Sequence, residues 1–294
     1  MASGNTITGS LADSLDSVRS SARIVREQIE GGGMPTLVDR VTLGEGIGLT
    51  WNEVSYDALT AQAITETTVL ENPQQLSDSL ISITPTVIGI ETFITDRVAA
   101  RITKKGYAKL GQLGQNAMER KKNEDGLTVL DSGATTASPG AGNVLTSGHI
   151  ASAKYNITSN VTEKGTPPIY AVLHGFQIKD LFDELVAGVG TYVVNEGATS
   201  KTLTSGWDLP IAGVKVYENG DITIDSSDDA IGGVFAKEGI VLVQGKSPRM
   251  VAVRKENVGG GGTTVYHYDE YAYGLRSSTN WVKEIKSDAT APTS

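Results

Sequence analysis

Between Arg97 and Lys122 the chain reads RVAARITKKGYAKLGQLGQNAMERKK, and this stretch limits the possible folds more than any other. Val98, Ile102, Gly106, Leu110, Leu113 and Ala117 recur at steps of four, four, four, three and four, the spacing of one helical face. The spacing predicts a single helix of about 25 residues, about 40 Å long at 1.5 Å per residue. Gly106, Gly111 and Gly114 interrupt it, each at a cost of about 1 kcal/mol in propensity. Such a helix depends on packing along its length, and its glycines favour close approach of other backbone. The stretch holds eight bases (Arg97, Arg101, Lys104, Lys105, Lys109, Arg120, Lys121 and Lys122) against one acid, Glu119. It therefore carries +7 and the remainder −16, which together give the chain's −9.

Around this helix the sequence is mostly of another kind. Residues 10–30 place Leu11, Leu15, Val18, Ala22, Val25 and Ile29 on one helical stripe, and Gly31, Gly32 and Gly33 end it. This amphipathic arm must bury its stripe, on its own body or on a neighbouring subunit. From 35 to 90 the period changes to two. Ile47, Leu49 and Trp51 alternate with Gly48, Thr50 and Asn52, and Ile81, Ile83 and Val87 alternate with Ser82, Thr84 and Thr86, which predicts two strands. Pro85 favours a sheet edge. The polar stretch between the strands includes Pro73 and is too long for a tight turn. A long two-stranded ribbon is marginal alone, so it should lie on another surface, and a partner subunit is the natural one.

Further along, 131–148 is a Gly/Ser/Thr/Pro-rich loop and 146–160 a short helix. Ile169–Leu173 reads as a strand leading into a helix with Phe176, Leu181, Phe182 and Leu185. The stretch 206–220 reads as a turn and a strand, and 230–245 as a buried hairpin. The segment 248–286 reads as closing strands around the glycines at 259–262, of which the stretch from Thr263 is a pair of long strands. The chain has 34 glycines among 294 residues, above the usual ~7%, as a turn-rich β protein would. The length allows a large core and about two domains.

The chemistry a chain of this composition can perform is restricted. It has no cysteine, which removes disulfides, thiol catalysis and Cys-based zinc sites. His149, His174 and His267 lack metal-ligand spacing. The glycines at 259–262 are not followed by the Lys-Ser/Thr of a phosphate loop. No apolar run reaches the ~18 residues of a membrane span. MASGNTITGS at 1–10 lacks the pattern of a signal peptide, which makes the cytosol the expected compartment. One catalytic lookalike remains. Asp131-Ser132-Gly133-Ala134 matches the active-site string of retropepsin-like aspartic proteases, in which two aspartates share a proton. A long helix precedes it and a glycine-rich loop follows, the wrong context for a compact barrel. The expectation is a chain with no active site, no cofactor and no metal. For the basic stretch, a solvated face competes with nonspecific phosphate contact.

The order of elements resembles the major capsid proteins of tailed bacteriophages, an α+β fold shared with encapsulins: an amphipathic arm, a long two-stranded extension, a long helix, a mixed α/β region and closing strands. IYAVLHGFQIKDLFDEL (169–185) resembles the family's axial strand and helix, DLPIAGVKVYENG (208–220) its Leu-Pro strand, and YAYGLRSSTNWVKEIK (271–286) its closing peripheral strand. The resemblance implies an N-terminal arm at 1–34 and an extended loop at 35–88. A peripheral domain with a spine helix follows at 89–135, an axial domain at 136–247, and peripheral return strands with a tail at 248–294.

It also implies a noncatalytic shell subunit that forms pentamers and hexamers of an icosahedral virion capsid around double-stranded DNA, assembled in the host cytoplasm. A scaffolding protein, a portal and a cementing protein would be its partners. Leu11, Leu15, Val18, Val25, Ile29, Trp51 and Pro73 are the expected inter-subunit residues. Arg97, Arg101, Lys104, Lys105 and Lys109 are the expected DNA-facing ones. Some family members weld their shells through an extended-loop lysine. Here the first lysine is Lys104, so that crosslink is not expected. The alternatives are an encapsulin-type compartment and, in a different class, an aspartic protease at Asp131.

Overall fold

The computed structural model describes residues 33–292 apart from 47, 62, 66–73, 102–103, 162, 188–205 and 259. The amphipathic arm and Pro73 therefore lie outside the described residues. The elements are α1 (Met34–Leu37), β1 (Asp39–Thr42), β2 (Trp51–Tyr56), β3 (Asp78–Ile83), β4 (Thr86–Thr95), α2 (Asp96–Ala99), α3 (Lys104–Leu130), α4 (Ser147–Thr158), β5 (Ile169–Leu173), α5 (Gly175–Ala187), β6 (Lys215–Glu218), β7 (Asp229–Ala236), β8 (Ile240–Gln244), β9 (Arg249–Lys255), β10 (Gly262–Leu275) and β11 (Val282–Asp288). They form an α+β fold with three sheets.

A five-stranded sheet runs β1-β8-β10-β4, with β9 also on β10, and a four-stranded sheet runs β11-β7-β5-β6. β2 and β3 form a separate ribbon. β10 organises the first sheet. Its residues 262–271 pair with β4, 262–268 with β9 and 271–275 with β8.

Two expectations about pairing are corrected. The apolar run 230–245 is not a hairpin: β7 joins the four-stranded sheet and β8 the five-stranded one, and the short 3₁₀ turn Lys237–Gly239 carries the chain between them. Both strands are buried on both faces, so their sequence has no alternation from which a partner could be read. Likewise β10 and β11 are not a pair, because β11 lies antiparallel to β7.

The crossing places both sheets on one core. Phe235 of β7, Ile240 and Leu242 of β8, Tyr271 of β10 and Leu130 of α3 pack in a single cluster with Met34 and Leu37. The other face of the four-stranded sheet packs Ala171, Leu173 and Val234 against Ile150, Ala153 and Ile157 of α4 and Leu181 of α5.

The long helix also differs from its predicted form. The segment opens with a short α2, capped by the Thr95 hydroxyl accepting from the Val98 amide at 3.4 Å. α3 then starts later and runs eight residues past Lys122. Its C-terminal half carries buried side chains, Met118, Lys122, Asn123, Leu127 and Leu130. Asn123 is fully enclosed: its side-chain oxygen accepts from the Met34 amide at 2.9 Å, and its amide donates to Asn219 at 3.1 Å. A Cβ on Gly126 would stand 2.6 Å from the Met34 Cβ, so this position admits only glycine beside α1. The glycines read from the sequence behave differently. Gly114 faces the His267 side chain, and a Cβ on Gly111 would meet open space.

Lys122, counted above among the basic face, is instead buried. Its Nζ donates to Asp269 at 2.9 Å and to Gln244 at 2.6 Å, and lies 4.7 Å from the Tyr271 ring centre. Replacing Lys122 by Ala would strand the Asp269 carboxylate and should cost about 3–5 kcal/mol. The pair Lys122→Met with Asp269→Asn should recover a large part of that loss. Denaturant midpoints of the two variants check this, and a Lys122→Ala midpoint equal to the parent's would contradict it.

Candidate assembly interface

The ribbon is the least self-sufficient part of the described chain. β2 and β3 pair antiparallel with Trp51 opposite Ile83, Val54 opposite Leu80 and Tyr56 opposite Asp78. Beyond the strands the legs stay linked, with the Asp57 amide donating to the Ser77 carbonyl at 3.1 Å and the Thr60 amide to the Gln74 side-chain oxygen at 2.8 Å. Period two sends alternate residues to opposite faces. The inner face carries Trp51, Glu53, Ile81 and Ile83. Ile83 packs with Val241 and Val243 of β8, with Trp51 and Ala272 against them. Gly274 leaves the room that the Ile83 side chain fills.

Arg276 fixes this root. Its guanidinium donates to Glu53 at 2.8 Å, to Asp39 at 2.7 Å and to the Glu238 carbonyl at 3.0 Å, and lies 5.9 Å from the Trp51 ring centre. It thereby ties β2, β1 and the 3₁₀ turn together. Burial opposes the Arg276 charge, but the Glu53 and Asp39 carboxylates outweigh it and hold its pKa above the ordinary value.

The outer face is apolar and uncovered. Val54, Tyr56 and Leu80 are 44%, 71% and 63% exposed, and Leu59, Ile64 and Leu76 beyond them are exposed too. Sequence reasoning missed this set because it followed the alternation through Leu49 and Trp51. The strand begins only at Trp51, after Gly48 at φ +101°. Trp51 itself is half-buried within its own chain. The signal for the outer face lay in Val54, Tyr56 and Leu80, apolar residues at positions where period two predicts solvent.

The basic residues divide along the segment. Arg120 pairs with Glu124 at 3.4 Å, Lys121 with Asp125 at 2.5 Å and Lys122 with Asp269. Arg97 and Arg101 are exposed at the end of the five-stranded sheet and form no ion pair among the described residues. Nearby, Arg254 is already matched by Asp96 at 2.7 Å and by Glu256. Lys104, Lys105 and Lys109 lie in α3, with side chains outside the described residues.

Asp131 sits exposed one residue past the end of α3, beside a β-sandwiched core and not in a protease barrel. Its electrostatic neighbour is Glu284 of β11. Burial pushes the Glu284 carboxyl above its ordinary value, the Asp131 charge adds to this, and Lys286 opposes it. Among the described residues no group of three or more His, Asp or Glu could hold a metal, and no helix is long and apolar enough to cross a membrane.

The sign of the Glu284 shift makes a prediction. In the window above 4.5, the ordinary value, the folded chain keeps a proton that the unfolded chain has released. Stability is therefore lost as pH rises through the raised folded value. Glu284→Gln should be more stable than the parent at pH 7, with the gap closing below about pH 4. Thermal melts at the two pH values check this, and a pH-independent gap would contradict it.

No protein-family model matches the chain, and no curated protein matches it. Solved structures do. A chain from Mycobacterium phage Che8 superposes with TM-score 0.68 at 16% identity, over 93% of this chain and 97% of that one. The capsid structure of cyanophage P-SCSP1u gives 0.68 at 13%, over 98% and 97%. The capsid asymmetric unit of cyanophage Pam1 gives 0.64 at 12%, over 99% and 100%. The chain has the fold of these phage capsid structures over nearly its whole length.

Proposed function

We propose that this chain is a structural shell subunit that assembles with copies of itself into the capsid of a tailed bacteriophage. The observation that carries the reading is the fold, shared with phage capsid chains over nearly the whole of both partners. The ribbon supports it independently. A two-stranded ribbon with one anchored face and one exposed apolar face needs a second surface, because such a hairpin is marginal alone and exposed apolar patches mark association sites. In this reading the five-stranded sheet and α3 form the peripheral part of the subunit, and the four-stranded sheet with α4 and α5 the axial part. The ribbon is the extended loop. Its outer residues Val54, Tyr56 and Leu80, with Pro73 further along the loop, lie on neighbouring subunits. With no lysine before Lys104, contacts of the loop are noncovalent.

Electron microscopy of the purified protein, with its scaffold where one is needed, should show closed shells or rings of five and six. Val54→Asp with Leu80→Asp should abolish them while leaving the thermal midpoint of the free subunit within a few degrees of the parent's. Normal shells from the double variant would remove the ribbon from the assembly surface. A subunit that stays monomeric with its scaffold present would overturn the shell reading itself.

The basic half of the segment, Arg97, Arg101, Lys104, Lys105 and Lys109, is assigned to the packaged DNA. Its five bases are followed by no acid before Glu119, while the three later bases are matched internally. Contact through this stripe alone is weak and salt-dependent. The acidic remainder limits adhesion to nucleic acid elsewhere. Reversing Arg97 and Arg101 to Glu should leave shell formation intact and reduce the DNA retained per particle, measured by absorbance ratio. Unchanged DNA content would show that the stripe faces elsewhere, and shells filled with protein cargo would favour a cellular compartment.

A further inference from the structure

A groove of about 780 Å³ opens between α3 and the sheet. One wall is α3 at Gly111, Gln115 and Met118, and the other is Met250 of β9 with His267 and Tyr268 of β10. Its surface is mixed, with Met118, Pro248 and Met250 apolar and Arg40, Glu119, Lys122, Arg249 and Asp269 charged along its edges. Met250 is 62% exposed although it lies on the face of β9 that looks toward the helix, opposite His267 in register. Above Gly111 a Cβ would meet nothing within 4 Å. Pro35 and Thr36 also line the groove. They stand at its Lys122 end, because α1 is held beside Asn123 and Gly126 by the Met34 amide and the Met34 side chain. The described chain therefore begins, at Gly33, beside the mouth of the groove, and Gly31 and Gly32 directly precede it.

We propose that this groove is the seat of the chain's own N-terminal segment, and that Ala22, Val25 and Ile29 fill it in the single subunit. The lengths agree. From Gly111 to Met118 α3 advances seven residues, about 10 Å, and from Ala22 to Ile29 a helix advances the same seven. The chemistry agrees as well, since a stripe of aliphatic residues at helical spacing requires apolar partners, which Met118, Pro248 and Met250 supply. With its last apolar residue, Ile29, placed at the Pro35 end near Met118, the stripe brings Val25 level with Met250 and His267 and Ala22 over Gly111. The small side chain of Ala22 then meets the position where α3 has no side chain. The tether is short: Gly31, Gly32 and Gly33 let the chain turn without strain. They also give the segment an effective concentration at its own groove in the millimolar range or above. A second copy in dilute solution cannot match that, which is why the proposal assigns the groove to the same chain. It concerns the free subunit and stands whether or not shells form.

The absence of cysteine from the chain makes a direct test available. Val25→Cys with Met250→Cys should form a disulfide under mild oxidation at least tenfold faster than Val25→Cys with Val251→Cys. Residues 250 and 251 point to opposite faces of the sheet, and Val251 lies beside Tyr266 on the far face. The product should migrate as a single chain on a non-reducing gel. Equal rates for the two pairs, or a product linking two chains, would overturn the proposal. A second measurement does not depend on disulfide geometry. The thiol of Met250→Cys in the otherwise native full chain should react with a water-soluble maleimide several-fold more slowly than the same thiol in a chain that also carries Ala22→Asp and Val25→Asp. Identical reaction rates would likewise overturn it.

Discussion

The chain changes sheets within three residues. At Lys237–Gly239 it leaves the four-stranded sheet and enters the five-stranded one, and the rest of the architecture depends on that crossing. Because β7 and β8 are consecutive and fully buried, neither sheet can move away from the other without exposing Phe235, Ile240 and Leu242 together. The C-terminal half of α3 closes the junction with Leu127 and Leu130. Gly126 lets α1 sit against that helix, and Asn123 satisfies the first amide of α1 where no water is needed to reach it. A buried polar group with its partners supplied holds geometry where a purely apolar contact would permit sliding.

From this junction the ribbon is rooted rather than hinged. Arg276 joins the strand that begins the ribbon to β1 and to the crossing turn. Ile83 enters a space left by Gly274. The ribbon's inner face thus inherits the rigidity of the core, while its outer face presents Val54, Tyr56 and Leu80 at a defined orientation. A projecting arm that is stiff at its base can deliver an apolar face to a neighbour with less loss of conformational entropy on docking.

Charge is arranged with the same economy. Seen as a sequence, 97–122 is one basic block in an acidic protein. In the folded chain Arg120, Lys121 and Lys122 are matched by Glu124, Asp125 and Asp269, so they contribute little field at a distance. Among the described residues of the N-terminal half, Arg97 and Arg101 stay exposed and outside these ion pairs. The block is therefore partly neutralised within its own fold, which its composition does not show.

Periodicity made the long helix and the strand–helix unit at 169–187 legible in the sequence, while the helix read at 10–30 lies outside the described residues. Local spacing determines which face of an element is apolar, and Ile150, Ala153, Ile157 and Leu181 all lie where that spacing puts them. The order of these elements was enough to indicate the fold. Four features were not legible: the sheet to which each of β7, β8 and β11 belongs, the break between α2 and α3, the burial of Lys122, and the outward turn of Val54 and Leu80. The strand pairings and the burial of Lys122 are decided by partners distant in the chain. A strand buried on both faces carries no mark of its neighbour, and a lysine looks solvated until Asp269, 147 residues away, is folded against it. The sequence by itself determined what each segment must become, because helical and extended periods are local properties. The tertiary structure alone decided what each segment meets, because burial and pairing are properties of two segments at once.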